Sequence, residues 1–397
     1  MPPFDRTLRS TLVALGSAMP AVIVTGPRQA GKTTLCRLAW PDHTYVNLER
    51  PDLRELATSD PRGFLDRHSD GLILDEIQRV PELTSWLQTH IDEDPTPGRW
   101  VLTGSEQLTL TERTSQSLAG RAAHAHLLPF DVEELDRAGA LPEGLPGHAW
   151  TSAVLRGGYP APLSLPVSPE VWLGSYVEAY LERDVRTLLN VGDLGRFRDF
   201  MGLIAGNSSQ TVNFSRLGGD VGATHPTAQS WLSVLEATFV AWRLRPWHRN
   251  LGKRLTKTPK VYLWDTGLLC HLLRIRTDDQ LLTHPSRGAI FETWVLSELL
   301  KLVHHRGERP DAYFFREQRG LEVDLLLRRE DHWLAVEVKS SSTIARDFGR
   351  NLEVLFERMG GAIDGVPLRS VVVYGGEEEQ ARGAVRFVPW RALPSLV

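Results

Sequence analysis

Residues 26–33 read Gly26-Pro27-Arg28-Gln29-Ala30-Gly31-Lys32-Thr33, and they constrain the fold more than any other stretch of the chain. The spacing G-x-x-x-x-G-K-[ST] works where a strand feeds a glycine-rich turn that opens a helix. Both flanks meet that condition. Ala21-Val22-Ile23-Val24-Thr25 is an apolar, β-branched run that predicts a buried strand. Thr34-Leu35-Cys36-Arg37-Leu38-Ala39-Trp40 predicts a helix that Pro41 stops. In that geometry backbone N–H groups close around phosphates, Lys32 reaches the β and γ oxygens, and Thr33 sets its hydroxyl on Mg2+. Gly26 to Thr34 is therefore the expected ATP-binding segment.

A chain of 397 residues exceeds one ordinary core, so two or three domains are expected. Hydrophobic residues at 42% and charged residues at 24% are those of a soluble globular protein. No run approaches about 18 uninterrupted apolar residues, and none is expected to span a membrane. Met1-Pro2-Pro3-Phe4-Asp5-Arg6 has no apolar signal core. Cys36 and Cys270 lie far apart in apolar contexts and read as buried free thiols. Together these place the chain in the cytoplasm. The net charge of −4 gives no general attraction to nucleic acid, so such a partner needs a local basic patch.

Further strands follow the loop. Tyr45-Val46-Asn47-Leu48-Glu49 is one; Gly71-Leu72-Ile73-Leu74-Asp75-Glu76 is another and ends in two carboxylates. Asp75 is expected to hold Mg2+ through water, and Glu76 to polarise the attacking water. Arg99-Trp100-Val101-Leu102-Thr103 ends at Gly104-Ser105, where Ser105 is placed to sense the γ-phosphate or to orient the water. Arg121 either reaches a neighbouring subunit's nucleotide as an arginine finger or pairs at the surface with Glu133 or Glu134. Strands alternating with helices predict a mostly parallel sheet, with the ligand at the carboxyl ends of the strands.

A Gly/Pro-rich connection, Leu141-Pro142-Glu143-Gly144-Leu145-Pro146-Gly147, precedes a helical pattern over 171–189 with Trp172, Tyr176, Tyr180 and Leu181 on one face. It reads as a helical lid. Arg156, Arg183 and Arg186 in this region read as members of structural ion pairs before phosphate contacts. A helix over Phe197–Ala205, a short helix and turn over 214–222, and a helix capped by Thr224 suggest a helix-turn-helix. A basic ribbon follows: Arg243, Arg245, Arg249, Lys253, Arg254, Lys257 and Lys260, interleaved with Trp242, Trp247 and His248. Such a ribbon can lie on DNA phosphates, with Arg249, Lys253, Arg254 and Lys257 as the contacts, or can be a solvated wing that only packs domains.

Leu321–Leu327 and Trp333–Lys339 predict two strands joined by a polar turn. Residues i and i+2 of a strand share a face, so Glu337 and Lys339 project together while Asp324 comes from the neighbouring strand. Buried acids beside a lysine are costly unless they bind a cation. Asp324 and Glu337 offer hard oxygen ligands to Mg2+ or Mn2+, with Glu292 from a preceding helix and the carbonyl of Val338 as further ligands. Lys339 is placed to orient or deprotonate an attacking water, or to neutralise the scissile phosphate. The pattern is that of the PD-(D/E)xK nucleases; a hairpin with one buried Glu337–Lys339 ion pair is the alternative.

The chain resembles the bacterial and archaeal AAA+-type ATPases whose C-terminal part is a domain of unknown function with a restriction-endonuclease-like fold. The resemblance rests on residues 26–34, Leu74-Asp75-Glu76-Ile77-Gln78, Leu102-Thr103-Gly104-Ser105, Leu118-Ala119-Gly120-Arg121, Gly157-Gly158-Tyr159-Pro160 and Glu182-Arg183-Asp184. It continues through Lys260-Val261-Tyr262, Phe291-Glu292, Glu322-Val323-Asp324 and Glu337-Val338-Lys339-Ser340. It implies ATP binding, a winged-helix middle and a nuclease-like end. The expected organisation is an α/β P-loop NTPase core over 1–137, linker and lid over 138–190, a winged-helix-like region over 191–275, and a PD-(D/E)xK nuclease-like domain over 276–397. The expected function is ATP hydrolysis with Mg2+ coupled to metal-dependent cutting of DNA, in a homo-oligomer if Arg121 acts in trans. The alternatives are an ATP-switched DNA-binding regulator that does not cut, and a signalling ATPase that binds protein.

Overall fold

The computed structural model describes residues 4–68, 70–105, 118–141, 149–181, 185–186, 194–248, 258–317 and 320–397. It divides into two compact units. The first is Met1–Phe130 with Ala237–Phe239 and His304–Glu308; the second is Asp131–Glu236, Val240–Val303 and Arg309–Val397.

The first unit contains α1 (Leu8–Ala18), β1 (Ala21–Thr25), α2 (Lys32–Ala39), β2 (Thr44–Asn47), α3 (Pro51–Ser59), α4 (Pro61–Asp66), β3 (Leu72–Asp75), α5 (Leu83–Glu93), β4 (Trp100–Gly104) and β5 (Ala122–His126). The strands form one parallel sheet in the order β2-β3-β4-β1-β5. Their apolar runs alternate between two cores. Ile23, Leu74 and Leu102 pack on one face with Leu48, Phe64 and Leu83. Val22, Val24, Ile73 and Val101 pack on the other with Leu8, Leu12 and Leu35. Burial on both faces is why these strands read as continuous hydrophobic runs. β2 stops at Asn47 instead of running to Glu49, because the Asn47 side chain accepts the Glu49 N–H at 2.8 Å and turns the chain.

The second unit begins with α6 (Val132–Arg137), α7 (Ala149–Arg156) and α8 (Pro169–Tyr180). Ser168 caps α8, and Trp172, Tyr176 and Tyr180 are buried along its face. Residues 182–184 and 187–189 of the expected lid lie outside the described residues. The unit continues with α9 (Leu194–Gly206), β6 (Gln210–Thr211), α10 (Phe214–Asp220), α11 (His225–Ala237), β7 (Ala241–Pro246), β8 (Lys260–Leu263) and α12 (Thr266–Leu272). Next come α13 (Arg287–His305), β9 (Asp311–Arg316), β10 (Glu322–Arg328), β11 (Trp333–Lys339), α14 (Arg350–Met359), β12 (Ala362–Ile363), β13 (Val366–Tyr374), β14 (Gln380–Arg382) and β15 (Val385–Pro389). The Thr224 hydroxyl accepts the Thr227 N–H at 3.3 Å, so the capped helix forms as the sequence predicts.

One sheet runs β14-β15-β13-β11-β10-β9-β7-β8-β6. β7 pairs in parallel with β9 through Arg245–Tyr313 and Pro246–Phe314. The strands expected as a separate wing are thus joined by backbone hydrogen bonds to the C-terminal strands, and the sheet crosses the expected boundary at 275/276. Leu352 and Leu355 of α14 pack with Val323, Leu326, Ala335 and Val372 in the core.

That sheet changes the reading of the basic ribbon. Trp242 is buried and stacks on Tyr262 at 4.6 Å between centroids, so its ring is core and does not face a nucleic acid. Arg243 pairs with Glu236 at 2.5 Å, and Lys260 is buried. Their acidic partners come from other parts of the chain, which a local charge count misses. Arg249, Lys253, Arg254 and Lys257 lie outside the described residues. Among the described residues no helix is long and apolar enough to cross a membrane.

Candidate functional site

The first site forms where β1 ends. Gly26 has a φ of 156°, and a Cβ there would sit 2.0 Å from the Leu127 carbonyl oxygen, so the loop passes too close to the chain after β5 for any side chain. Lys32 opens α2, is buried, and donates from Nζ to the carbonyls of Gly26 at 2.8 Å and Pro27 at 2.9 Å. Burial pulls its pKa below the usual lysine range, against the opposing charges of Glu76 and Asp75. The ammonium therefore ties the loop to itself at the place where phosphate oxygens are expected.

Asp75 receives three hydroxyls. Thr33 Oγ1 donates to Oδ2 at 2.9 Å, Tyr45 Oη to Oδ2 at 2.7 Å, and Thr103 Oγ1 to Oδ1. Glu76 follows in the left-handed region at φ 58°, a strained conformation for a non-glycine residue. Its Oε2 accepts from Gln78 Nε2 and, at 3.3 Å, from Ser105 Oγ. The structure thus gathers Lys32, Thr33, Asp75, Glu76 and Ser105 at the carboxyl edge of the sheet. Arg28 approaches Glu49 at 3.7 Å.

Arg121 is held by Asp92 of α5 in a two-pronged pair, Nε–Oδ1 at 2.5 Å and Nη2–Oδ2 at 2.9 Å. The surface pairing expected with Glu133 or Glu134 is replaced by this one, since the guanidinium fork matches the Asp92 carboxylate in both prongs. Arg156 donates to the Ala140 carbonyl in place of the expected ion pair. Arg183 lies outside the described residues.

Sequence reasoning missed Tyr45, Thr103 and Gln78 as partners of the two acids. It also missed Arg6, which is buried and donates to the loop carbonyl of Ala30 at 2.8 Å and to Leu128 at 2.7 Å, with its guanidinium 4.5 Å from the Phe130 ring centre. A lone arginine before a helix carries no sequence signal for that role. Thr103→Val keeps shape but removes a buried donor to Asp75. It is expected to lower stability by about 1–3 kcal/mol and to raise the Mg2+ concentration needed for half-maximal ATP turnover. Unchanged melting and unchanged Mg2+ dependence would count against this network.

The second site lies on β8, β10, β11 and α13. The β10–β9 register shifts between Val323 and Leu326, so Asp324 and Leu325 together oppose one residue of β9. Asp324 Oδ2 accepts the Val338 N–H at 2.8 Å, which fixes it against β11. Lys339 Nζ donates to Glu337 Oε1 at 2.7 Å, and Asn351 Nδ2 lies 3.5 Å from the same oxygen. Glu337 is 4% exposed, and its Oε2 is buried with no hydrogen-bond partner among the described residues. Glu292 Oε1 accepts from Tyr262 Oη at 2.8 Å and from Lys260 Nζ at 3.4 Å; Lys260 also pairs with Glu322 at 2.7 Å.

Burial, then the neighbouring charge of Asp324, pushes Glu292 up to about 8 and Glu337 up to about 7. Burial raises Asp324 as well, against the pull of Lys260. Burial lowers Lys260 and Lys339, but the surrounding carboxylates outweigh it and raise both.

Hard oxygen donors and an orphaned buried carboxylate oxygen fit a divalent cation. Among the described residues Glu292, Asp324 and Glu337 do not converge to mutual distances within 4.8 Å, so an ion must draw its ligands together. Lys260, Tyr262 and Glu322 were not singled out from sequence as site residues. The available signal was the i, i+2 spacing of Lys260 with Tyr262 and of Glu322 with Asp324, which puts each pair on one strand face.

Residues 18–136 match the family described as an AAA domain. Residues 147–279 and 287–393 match two domains of unknown function, DUF8612 and DUF4143. Loop, acid pair and parallel sheet with this match define a P-loop ATPase of the AAA type. The chain belongs to the family of two uncharacterised mycobacterial proteins, from Mycobacterium tuberculosis and Mycobacterium bovis. It is 33% identical to each over 329 residues, which is 82% of this chain and 71% of theirs. Among solved structures, a Walker-type ATPase of Pyrococcus abyssi is similar at 18% identity, over 68% of this chain and 96% of that one, with a TM-score of 0.48. The ADP form of the Aeropyrum pernix ORC2 protein is similar at 15% identity, over 61% and 88%, with a TM-score of 0.31.

Proposed function

We propose that this chain hydrolyses ATP and uses nucleotide state to govern a metal-dependent nuclease domain that cuts DNA. In the first site Lys32 binds the β and γ phosphates, and Thr33 and Asp75 hold Mg2+. Glu76 polarises the attacking water, with Gln78 and Ser105 fixing its carboxylate. In a homo-oligomer Arg121 exchanges Asp92 for a neighbour's phosphates. The basic residues Arg249, Lys253, Arg254 and Lys257 are the proposed DNA phosphate contacts.

The observation that carries the second activity is the buried Glu337 Oε2 beside Lys339, unpartnered among the described residues. Asp324, Glu337 and the Val338 carbonyl would hold Mg2+ or Mn2+, which supplies charge neutralisation at the scissile phosphodiester. With Glu337 engaged in holding the ion, the Lys339 ammonium would be available to orient the attacking water and neutralise the scissile phosphate; it could take a proton only if the ion's charge brought its pKa down. Asn351 keeps Glu337 in place.

The test is cleavage of linear and single-stranded DNA with Mg2+ or Mn2+, with and without ATP, by wild type and Lys339→Ala. The expected result is metal-dependent cutting by wild type that falls by about 100-fold or more in the variant. A second reading, an ATP-switched DNA binder that does not cut, is favoured by Glu292, Asp324 and Glu337 not all lying within 4.8 Å of one another among the described residues. Wild type that binds DNA but never cuts it establishes that reading. Absence of any salt-sensitive DNA affinity points instead to a protein-binding signalling ATPase.

A further inference from the structure

Lys260 and Lys339 hold different halves of the carboxylate cluster. Lys339 pairs with Glu337, whose second oxygen has no partner among the described residues. Lys260 takes Glu322 at 2.7 Å and Glu292 at 3.4 Å, and its ammonium lies 5.4 Å from the Phe314 ring centre. Its side chain is 5% exposed, against 33% for that of Lys339. Its backbone is fixed too, paired with Leu244 of β7 on one side and Thr211 of β6 on the other. Tyr262, two residues along the same strand, secures Glu292 with a second donor.

We propose that the Lys260 ammonium is the resident cation of the Glu292–Glu322 half of the site, so that the protein binds one divalent cation, at Asp324 and Glu337, and not two. This rests on the metal-binding reading above and reassigns Glu292 from metal ligand to partner of Lys260. Charge supports it. Glu292, Glu322, Asp324 and Glu337 carry four negative charges when ionised; Lys260 and Lys339 return two, and Arg316, 3.5 Å from Glu322, returns a third. The remainder is no more than one divalent ion compensates, and a second ion in a buried site would leave uncompensated positive charge. Lys260 also lies on the far side of the 275/276 boundary from every other charged group of the cluster. A fragment starting at 276 therefore lacks a cation of its own site.

The experiment is Mn2+ titration of the full-length, nucleotide-free protein, followed by the paramagnetic resonance of free Mn2+. An Asp75→Asn background removes the carboxylate of the nucleotide site. The parent is expected to bind one ion, lost in Glu337→Gln. Lys260→Met keeps the aliphatic stem and removes the charge, and it is expected to bind two; Lys260→Arg is expected to bind one. Two ions in the parent, or one in a folded Lys260→Met protein, overturn the proposal. Lys260→Gln serves in its place if the methionine variant fails to fold, and the parent count decides without any variant. No ion in the parent instead overturns the metal-binding reading on which the proposal rests.

Discussion

Lys32→Ala is expected to reduce ATP hydrolysis by about 10²–10³-fold, the scale set by removing one preorganised charge from a developing transition state. The geometry adds a second reason. Lys32 Nζ bonds the carbonyls of Gly26 and Pro27, so the ammonium also shapes the loop it serves. The loss is therefore expected in binding as well as in turnover. Lys32→Arg separates the two effects: it keeps the charge, but its planar fork does not fit a pocket built for a compact ammonium. Phosphate release under saturating ATP gives the turnover, and a fluorescent nucleotide gives the affinity. Persistent hydrolysis by purified Lys32→Ala protein would overturn the assignment of the first site.

The parts of both sites that are contiguous in sequence were legible, and the parts assembled across the sheet were not. The loop at 26–33 contains its glycines, lysine and threonine within eight residues, and its flanking strand and helix form where the apolar runs predict. Asp75 and Glu76 follow an apolar strand, so they too could be read locally. Asp324, Glu337 and Lys339 sit on adjacent strands of one hairpin, and the period of two places the last pair on one face. Lys260 is different. Its partners Glu292 and Glu322 lie 32 and 62 positions further on, and β7 joins β9 in parallel, a pairing with no turn signal to announce it. Read as one cation in a basic ribbon, Lys260 suggested DNA; placed by the sheet, it belongs to the carboxylates. Asp92 was invisible as the partner of Arg121 for the same reason, because the pair is made across 29 positions.

Without a divalent ion, the second site is expected to lose stability as pH rises, and Mg2+ or Mn2+ is expected to restore it most strongly at alkaline pH. Glu292 and Glu337, with values of about 8 and about 7, bind protons more tightly folded than in an unfolded chain. The native state therefore holds more protons than the unfolded state from the ordinary carboxyl range up to those values. Its protonation-linked stability is complete below the unfolded pKa and is lost as pH rises through about 7 and about 8. Each carboxyl contributes a slope of at most about 1.4 kcal/mol per pH unit, and less where a neighbouring lysine shares the charge. A divalent ion reverses the balance, because it requires the ionised carboxylate and releases the proton. Thermal unfolding of the full chain between pH 6 and 9, with and without Mg2+, measures both arms. Isothermal titration in buffers of different ionisation enthalpy counts the protons released on binding. Asp324→Asn removes a proposed ligand together with the charge that helps raise both glutamates, so it is expected to flatten the pH dependence and abolish the response to Mg2+. A metal-induced shift in melting that is the same at every pH, with no proton release at neutrality, would show that Glu292 and Glu337 are already ionised and that the free Glu337 oxygen is not the metal ligand.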